Sequence, residues 1–154
     1  MTKVAVGGTF DPLHEGHKKL LDVAIKLGGK NVIIGITDDK MARLRFRSVL
    51  PFIIRAENVR RYIKRRYGFE PDIVPISDHY GKTLEVDFDY LVVSPETYPV
   101  ALMINKKREE LGKKPIKIVK VDFVLAEDGK PISSTRIKNG VIDRYGRLIE
   151  DKFD

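Results

Sequence analysis

Two histidines three residues apart carry the first chemical signal in this sequence. The segment Gly7-Gly8-Thr9-Phe10-Asp11-Pro12-Leu13-His14-Glu15-Gly16-His17 directly follows the strand-like run Lys3-Val4-Ala5-Val6. A glycine pair lets a ligand approach the backbone closely, and Thr9 adds a hydroxyl and a backbone N–H. His14 and His17 bracket Gly16 where a helix begins, so His17 falls in its first turn. Free N–H groups and the helix dipole favour an anion there. Two imidazoles aimed at that point can donate to phosphate oxygens as charge builds up. A zinc pair fits less well, because there is no cysteine and His79, the only other histidine, stands in no ligand pattern. The spacing is also neither a Walker loop nor GxGxxG. The expected chemistry is the handling of phosphate groups, with no metal held by the protein.

Further candidates lie downstream. Ile132-Ser133-Ser134-Thr135-Arg136-Ile137-Lys138 supplies three hydroxyls and a following cation at a helix start, which makes either a second anion cradle or an ordinary cap. Ser94 and Glu96-Thr97 sit at a strand end and helix start, where they contact a nucleotide or cap the helix. Asn105 and Arg108 share a helix face, and Arg108 either reaches a triphosphate or lies on solvated surface. Arg55, Arg60, Arg61, Lys64, Arg65 and Arg66 give another helix a basic face, read as mostly solvated.

The elements that must hold these residues alternate. Val32-Ile33-Ile34-Gly35-Ile36 is a second strand, continuously apolar as expected when both faces are covered. A helix runs from His17 to about Leu27, and another from Pro51 to Tyr67 with Pro51 at its first position. Asp72 to Ile76 is a weaker strand, because Pro75 suits an edge or a strand end. Tyr90 to Val93 is a short strong strand, Glu96 to Leu111 a helix, Ile116 to Val124 a last strand, and Ser133 to Asn139 a short helix before a polar tail from about residue 147. Strands separated by helix-length segments imply βαβ crossovers and a mainly parallel sheet. The expectation is one α/β domain over 1–154, Rossmann-like and doubly wound, with about five strands and ligands beyond their carboxyl ends.

Composition agrees. The chain has 154 residues, 29 Lys and Arg against 22 Asp and Glu, and a net charge of +7, which favours polyanionic partners. It lacks Cys and Gln and is rich in Lys, Arg and Glu, a mix associated with heat-adapted proteins. No apolar run approaches the roughly 20 residues of a membrane span, and Met1-Thr2-Lys3 has no signal-peptide layout. A cytoplasmic protein with no membrane partner is expected.

GGTFDPLHEGH closely resembles the HxGH signature of the nucleotidyltransferase superfamily, whose members transfer a nucleotidyl group from ATP or CTP and release pyrophosphate. Ile132 to Lys138 is similar to its ISSTxIR-type motif. Leu91-Val92-Val93-Ser94-Pro95-Glu96-Thr97-Tyr98 with Asn105 and Arg108, and Asp78-His79-Tyr80-Gly81, resemble the archaeal and eukaryotic phosphopantetheine adenylyltransferases. The resemblance spans Val4 to about Gly146. It implies a reaction of ATP with 4′-phosphopantetheine, assisted by Mg²⁺, giving dephospho-coenzyme A and pyrophosphate. It further implies catalytic roles for His17, His14 and Thr9. Nucleotide binding falls to Gly7, Gly8, Phe10, His14, His17, Ser94, Glu96, Thr97, Asn105, Arg108, Ser133, Ser134, Thr135 and Lys138, with Lys138 ranked above Arg136. Acceptor binding falls to Thr9 and Arg45. Arg45 stands where the family pattern has Lys, with Lys40, Arg43 and Arg47 as alternatives. Rival readings are another acceptor (nicotinamide mononucleotide, FMN or a CTP-dependent alcohol phosphate) or a non-catalytic nucleotide- or RNA-binding module. Nucleic acid is disfavoured, because the interleaved aromatics of a single-strand platform are missing.

Overall fold

Strand periodicity sorts the apolar residues into two cores. The strands are β1 (Val4–Gly8), β2 (Val32–Thr37), β3 (Asp72–Ile76), β4 (Tyr90–Val93) and β5 (Lys117–Lys120), and the helices are α1 (Glu15–Gly28), α2 (Asp39–Arg43), α3 (Phe52–Tyr67), α4 (Tyr98–Glu110) and α5 (Ser134–Lys138). The computed structural model describes residues 1–150; of the expected polar tail, residues 151–154 lie outside the described residues. Val4, Val6, Ile34, Ile36 and Val92 pack in one core with Leu21 and Ala24 of α1 and Val59 and Ile63 of α3. Ala5, Leu91 and Val93 point the other way, onto Ala101 and Ile104 of α4, as the alternation of side chains along a strand requires.

The five strands are all parallel, in the order β3-β2-β1-β4-β5. The chain steps outward from β1 to β2 to β3, then returns to the far side of β1 to lay down β4. Crossovers leading away in opposite directions leave a crevice beyond the carboxyl ends of β1 and β4. The histidine segment and the Ser94–Thr97 turn both open into it. β3 is an edge strand, which accommodates Pro75.

Several boundaries differ from expectation. α1 begins at Glu15 because His14 caps it, and α3 begins at Phe52 with Pro51 as its cap residue. α4 begins at Tyr98, since residues 94–97 form a turn first. β5 ends at Lys120, opposite Val93 where its partner β4 ends, and residues 121–124, expected to continue it, are not strand. The short helix α2, capped by the Asp38 carboxylate on the Met41 N–H at 2.8 Å, was not anticipated. The crossover between β3 and β4, residues 77–89, contains no helix. The sheet face over β2 and β3 is therefore left open to a cavity.

Candidate active site

The histidine segment folds as a reciprocal cap. The Gly16 and His17 N–H groups donate to Nδ1 of His14 at 3.0 and 3.4 Å, and the His14 N–H donates to Nδ1 of His17 at 3.3 Å. The two rings stack with centroids 3.7 Å apart. A Cβ on Gly16 would lie 2.9 Å from His14 Cε1, so only glycine fits between them. The first-turn N–H groups expected to hold an anion are thus already taken by His14. What remains for an anion is the imidazoles themselves. With Nδ1 accepting, each neutral ring carries its proton on Nε2 and donates from there.

Burial keeps both rings neutral. It lowers the His14 pKa to about 4, and burial, followed by the nearby His14, holds His17 well below the ordinary histidine value. His14 is 6% exposed, so the unfolded chain takes up its proton near pH 6.5 while the folded chain resists until about pH 4. Stability from this group is complete above pH 6.5 and is lost as pH falls through that window, up to about 3 kcal/mol. Urea midpoints measured at pH 7 and pH 5 should show the loss. His14→Asn, which caps without titrating, should reduce the loss to the share that His17 contributes; an unchanged pH slope would contradict the assignment.

Two adjoining cavities meet at the strand ends. The larger, about 610 Å³, extends over β2 and β3 beneath residues 77–83 and against α4. The smaller, about 100 Å³, is lined by His14, His17, Ser133 and Ser134. Gly7, Gly8, Thr9, Arg45, Glu96 and Thr97 line both and form the wall between them. A Cβ on Gly8 would sit 3.1 Å from the Phe10 ring, so the floor of the site is bare backbone. Arg45 pairs with Glu96 across the mouth, both about half exposed. Of the four basic residues considered after β2, Arg45 alone lines either cavity.

Other expected residues are placed differently. Phe10 is 1% exposed and packs beside the His17 ring, so its side chain belongs to the core rather than to a nucleotide. Arg108 is 1% exposed: its guanidinium donates to the Lys114, Thr83 and Val86 carbonyls and to Asp87. It ties α4 to the helix-free crossover and reaches no triphosphate. Asn105 is spent on the N–H and carbonyl of Ile116, at 2.8 Å each, which fixes β5. Ser94 and Thr97 exchange hydroxyl contacts that close the turn before α4, while both still line the small cavity. Thr135 is exposed and lines neither cavity. Arg136 folds back on the Pro131 carbonyl and Asp128. Lys138 likewise lines neither cavity and donates to Asp11 at 3.2 Å and to the Ser48 carbonyl at 2.8 Å. Asp11 also accepts the Leu50 N–H at 2.7 Å.

The family model described as cytidylyltransferase-like matches residues 5–140. The phosphopantetheine adenylyltransferase of Archaeoglobus fulgidus is 74% identical over 147 residues, covering 96% of this chain and 99% of that protein. The chain belongs to the phosphopantetheine adenylyltransferase family. The family's Methanosarcina mazei member is 51% identical over 151 residues, covering 96% of this chain and 97% of its own length. A solved structure from A. fulgidus, described as a protein with unknown function, superposes with a TM-score of 0.77 at 74% identity, covering 79% of this chain and 90% of that one.

Against this family background, one residue beneath the site escaped the sequence reading. Arg55, taken as part of a solvated basic face, is fully buried and bonded to the backbone of Thr9. The signal was present: Arg55 shares the buried stripe of α3 with Val59 and Ile63, at helical spacing.

Proposed function

We propose that the chain is an adenylyltransferase moving AMP from ATP to 4′-phosphopantetheine, giving dephospho-coenzyme A and pyrophosphate in cytoplasmic coenzyme A biosynthesis. One observation carries this reading: a small cleft lined by two neutral imidazoles meets a larger, mostly apolar cavity at the Thr9 hydroxyl, the other hydroxyl of the shared wall, that of Thr97, being engaged by Ser94. The methylene and dimethyl portions of the pantetheine arm suit Ile33, Val74, Ile76, Val100 and Ile104 of the larger cavity. Thr9 and Arg45 then hold the arm's phosphate at the junction, with Arg45 exchanging Glu96 for the phosphate. Such exposed pairs are worth about 1 kcal/mol or less, so the exchange is cheap.

A phosphate monoester, with its second pKa near about 6, is already a nucleophile at neutral pH. Its oxygen attacks the α-phosphorus of ATP in line, the bond from that phosphorus to the β-bridging oxygen breaks, and pyrophosphate leaves. No proton is removed, so no general base is required. Catalysis is positioning and charge stabilisation. Nε2–H of His17 donates to the α-phosphate oxygen as charge develops, His14 holds neighbouring phosphate oxygens, and Ser133, Ser134 and Lys138 hold the β and γ end. Among the described residues no group of three or more His, Asp or Glu converges to hold a metal. Mg²⁺ is assigned to the nucleotide, as part of the substrate MgATP.

Lys138→Ala should weaken ATP binding by roughly 1.5–3 kcal/mol, the size of a charged hydrogen bond. Arg136→Ala should weaken it less, because the register of the motif gives the phosphate contact to Lys138, while Arg136 folds back within its own loop. Acceptor affinity should hardly change in either. A larger ATP defect in the Arg136 variant, by calorimetry, would reverse the assignment.

The reading is tested by pyrophosphate release across 4′-phosphopantetheine, nicotinamide mononucleotide, FMN and, with CTP, an alcohol phosphate. Release should occur with ATP and 4′-phosphopantetheine. Equal release with another acceptor, or RNA binding that displaces ATP without turnover, would favour a rival.

A further inference from the structure

Arg55 is a buried cation, paired with Asp39, and each of its three nitrogens donates to a defined partner. Nε donates to the Leu50 carbonyl at 2.7 Å, Nη2 to Asp39 at 2.9 Å, and Nη1 to both the Thr9 carbonyl at 3.1 Å and Thr37 Oγ1 at 3.2 Å. Asp39 is held in turn by the Phe52 N–H at 2.8 Å. A guanidinium only donates and never loses its proton. Thr37 Oγ1 must therefore accept from it, which sends the Thr37 hydroxyl hydrogen elsewhere. It donates to Thr9 Oγ1, 3.0 Å away. Thr9 Oγ1, accepting from Thr37, keeps its own hydrogen to donate into the two cavities that it lines.

We infer that Arg55 and Thr37 are positioning residues that form a one-way hydrogen-bond relay, fixing the Thr9 hydroxyl as a donor toward an acceptor substrate that presents only oxygen lone pairs, such as a phosphate dianion. The relay rests on the proposed contact between Thr9 and the acceptor's phosphate. It adds a specificity device. With the hydrogen of Thr9 committed outward, an incoming phosphate oxygen finds a donor, whereas an incoming hydroxyl can accept from Thr9 but is offered less for its own hydrogen. Hydrogen bonds in such a chain polarise one another, and a charged first donor strengthens the last.

A purely structural role for Arg55, tying α3 to β1 and β2, predicts something different, and Thr37 separates the two. Thr37→Val keeps the shape and leaves Arg55 its bonds to Thr9, Leu50 and Asp39. The relay predicts that the KM for 4′-phosphopantetheine rises about 5–10-fold, while ATP affinity stays within about twofold and the melting temperature falls no further than the loss of one buried hydrogen bond to Arg55 explains. Thr37→Ser should restore the KM. Thr9→Val should raise the same KM, and adding Thr37→Val to it should change nothing further, because the two act in series. If Thr9→Val raises the KM and Thr37→Val does not, the relay is wrong and the Thr9 contact stands. If neither variant moves it, both are wrong. Equal losses for ATP and acceptor in Thr37→Val would also overturn the relay, since they mark a general distortion of the site.

Discussion

His17→Ala should turn over ATP on the order of 10²–10³ times more slowly while binding it within a few-fold of the unmodified protein. That is the usual cost of deleting one preorganised donor aimed at developing charge. The geometry gives the reason. The Nδ1 of His17 is occupied by the His14 N–H, so the ring is oriented and its Nε2–H is the available donor. The neutral ring adds little to ground-state binding of a polyanion, so its loss should appear in kcat more than in the dissociation constant. His17 also stacks on His14, so the comparison requires an unchanged melting temperature. Near-normal turnover in a folded variant would remove His17 from the transition state.

Pantetheine lacking its phosphate should be inert, with a rate at least several orders of magnitude below that of the phosphorylated acceptor. A primary hydroxyl must lose its proton as it attacks, and general-base assistance is typically worth 10²–10⁴-fold. The wall between the cavities offers Thr9, Thr97, Arg45 and Glu96, and Glu96 is paired with Arg45. Both imidazoles are neutral, but their Nδ1 atoms are engaged by backbone N–H groups. Nothing there is free to take the proton. Comparable adenylylation of pantetheine and its phosphate would refute the account of the nucleophile.

The sheet was legible in the sequence because its signals are local. β1, β2 and β4 are β-branched runs, Pro75 marks an edge, and the switch point follows once the sheet is doubly wound. The place of the histidine segment, at the turn from β1 into α1, was legible for the same reason. What escaped was non-local. Arg108 shares its stripe with Ala101 and Ile104, which hints at burial, but the carbonyls that receive it come from residues 83, 86 and 114. Arg55 likewise depends on Thr9, Thr37 and Leu50, which meet only in the folded chain. α2 is five residues long, too short for periodicity to register. The large cavity exists because one crossover lacks a helix, and no residue in 77–89 announces that.

The central claim is that an acceptor phosphate oxygen attacks the α-phosphorus of ATP. Phosphopantetheine carrying ¹⁸O in all of its non-bridging phosphate oxygens tests it directly, with the products resolved by mass spectrometry. The account predicts that the entire label is recovered in dephospho-coenzyme A, one labelled oxygen bridging the new diphosphate, and that the released pyrophosphate is unlabelled. Label in pyrophosphate, or formation of ADP in place of pyrophosphate, would contradict it.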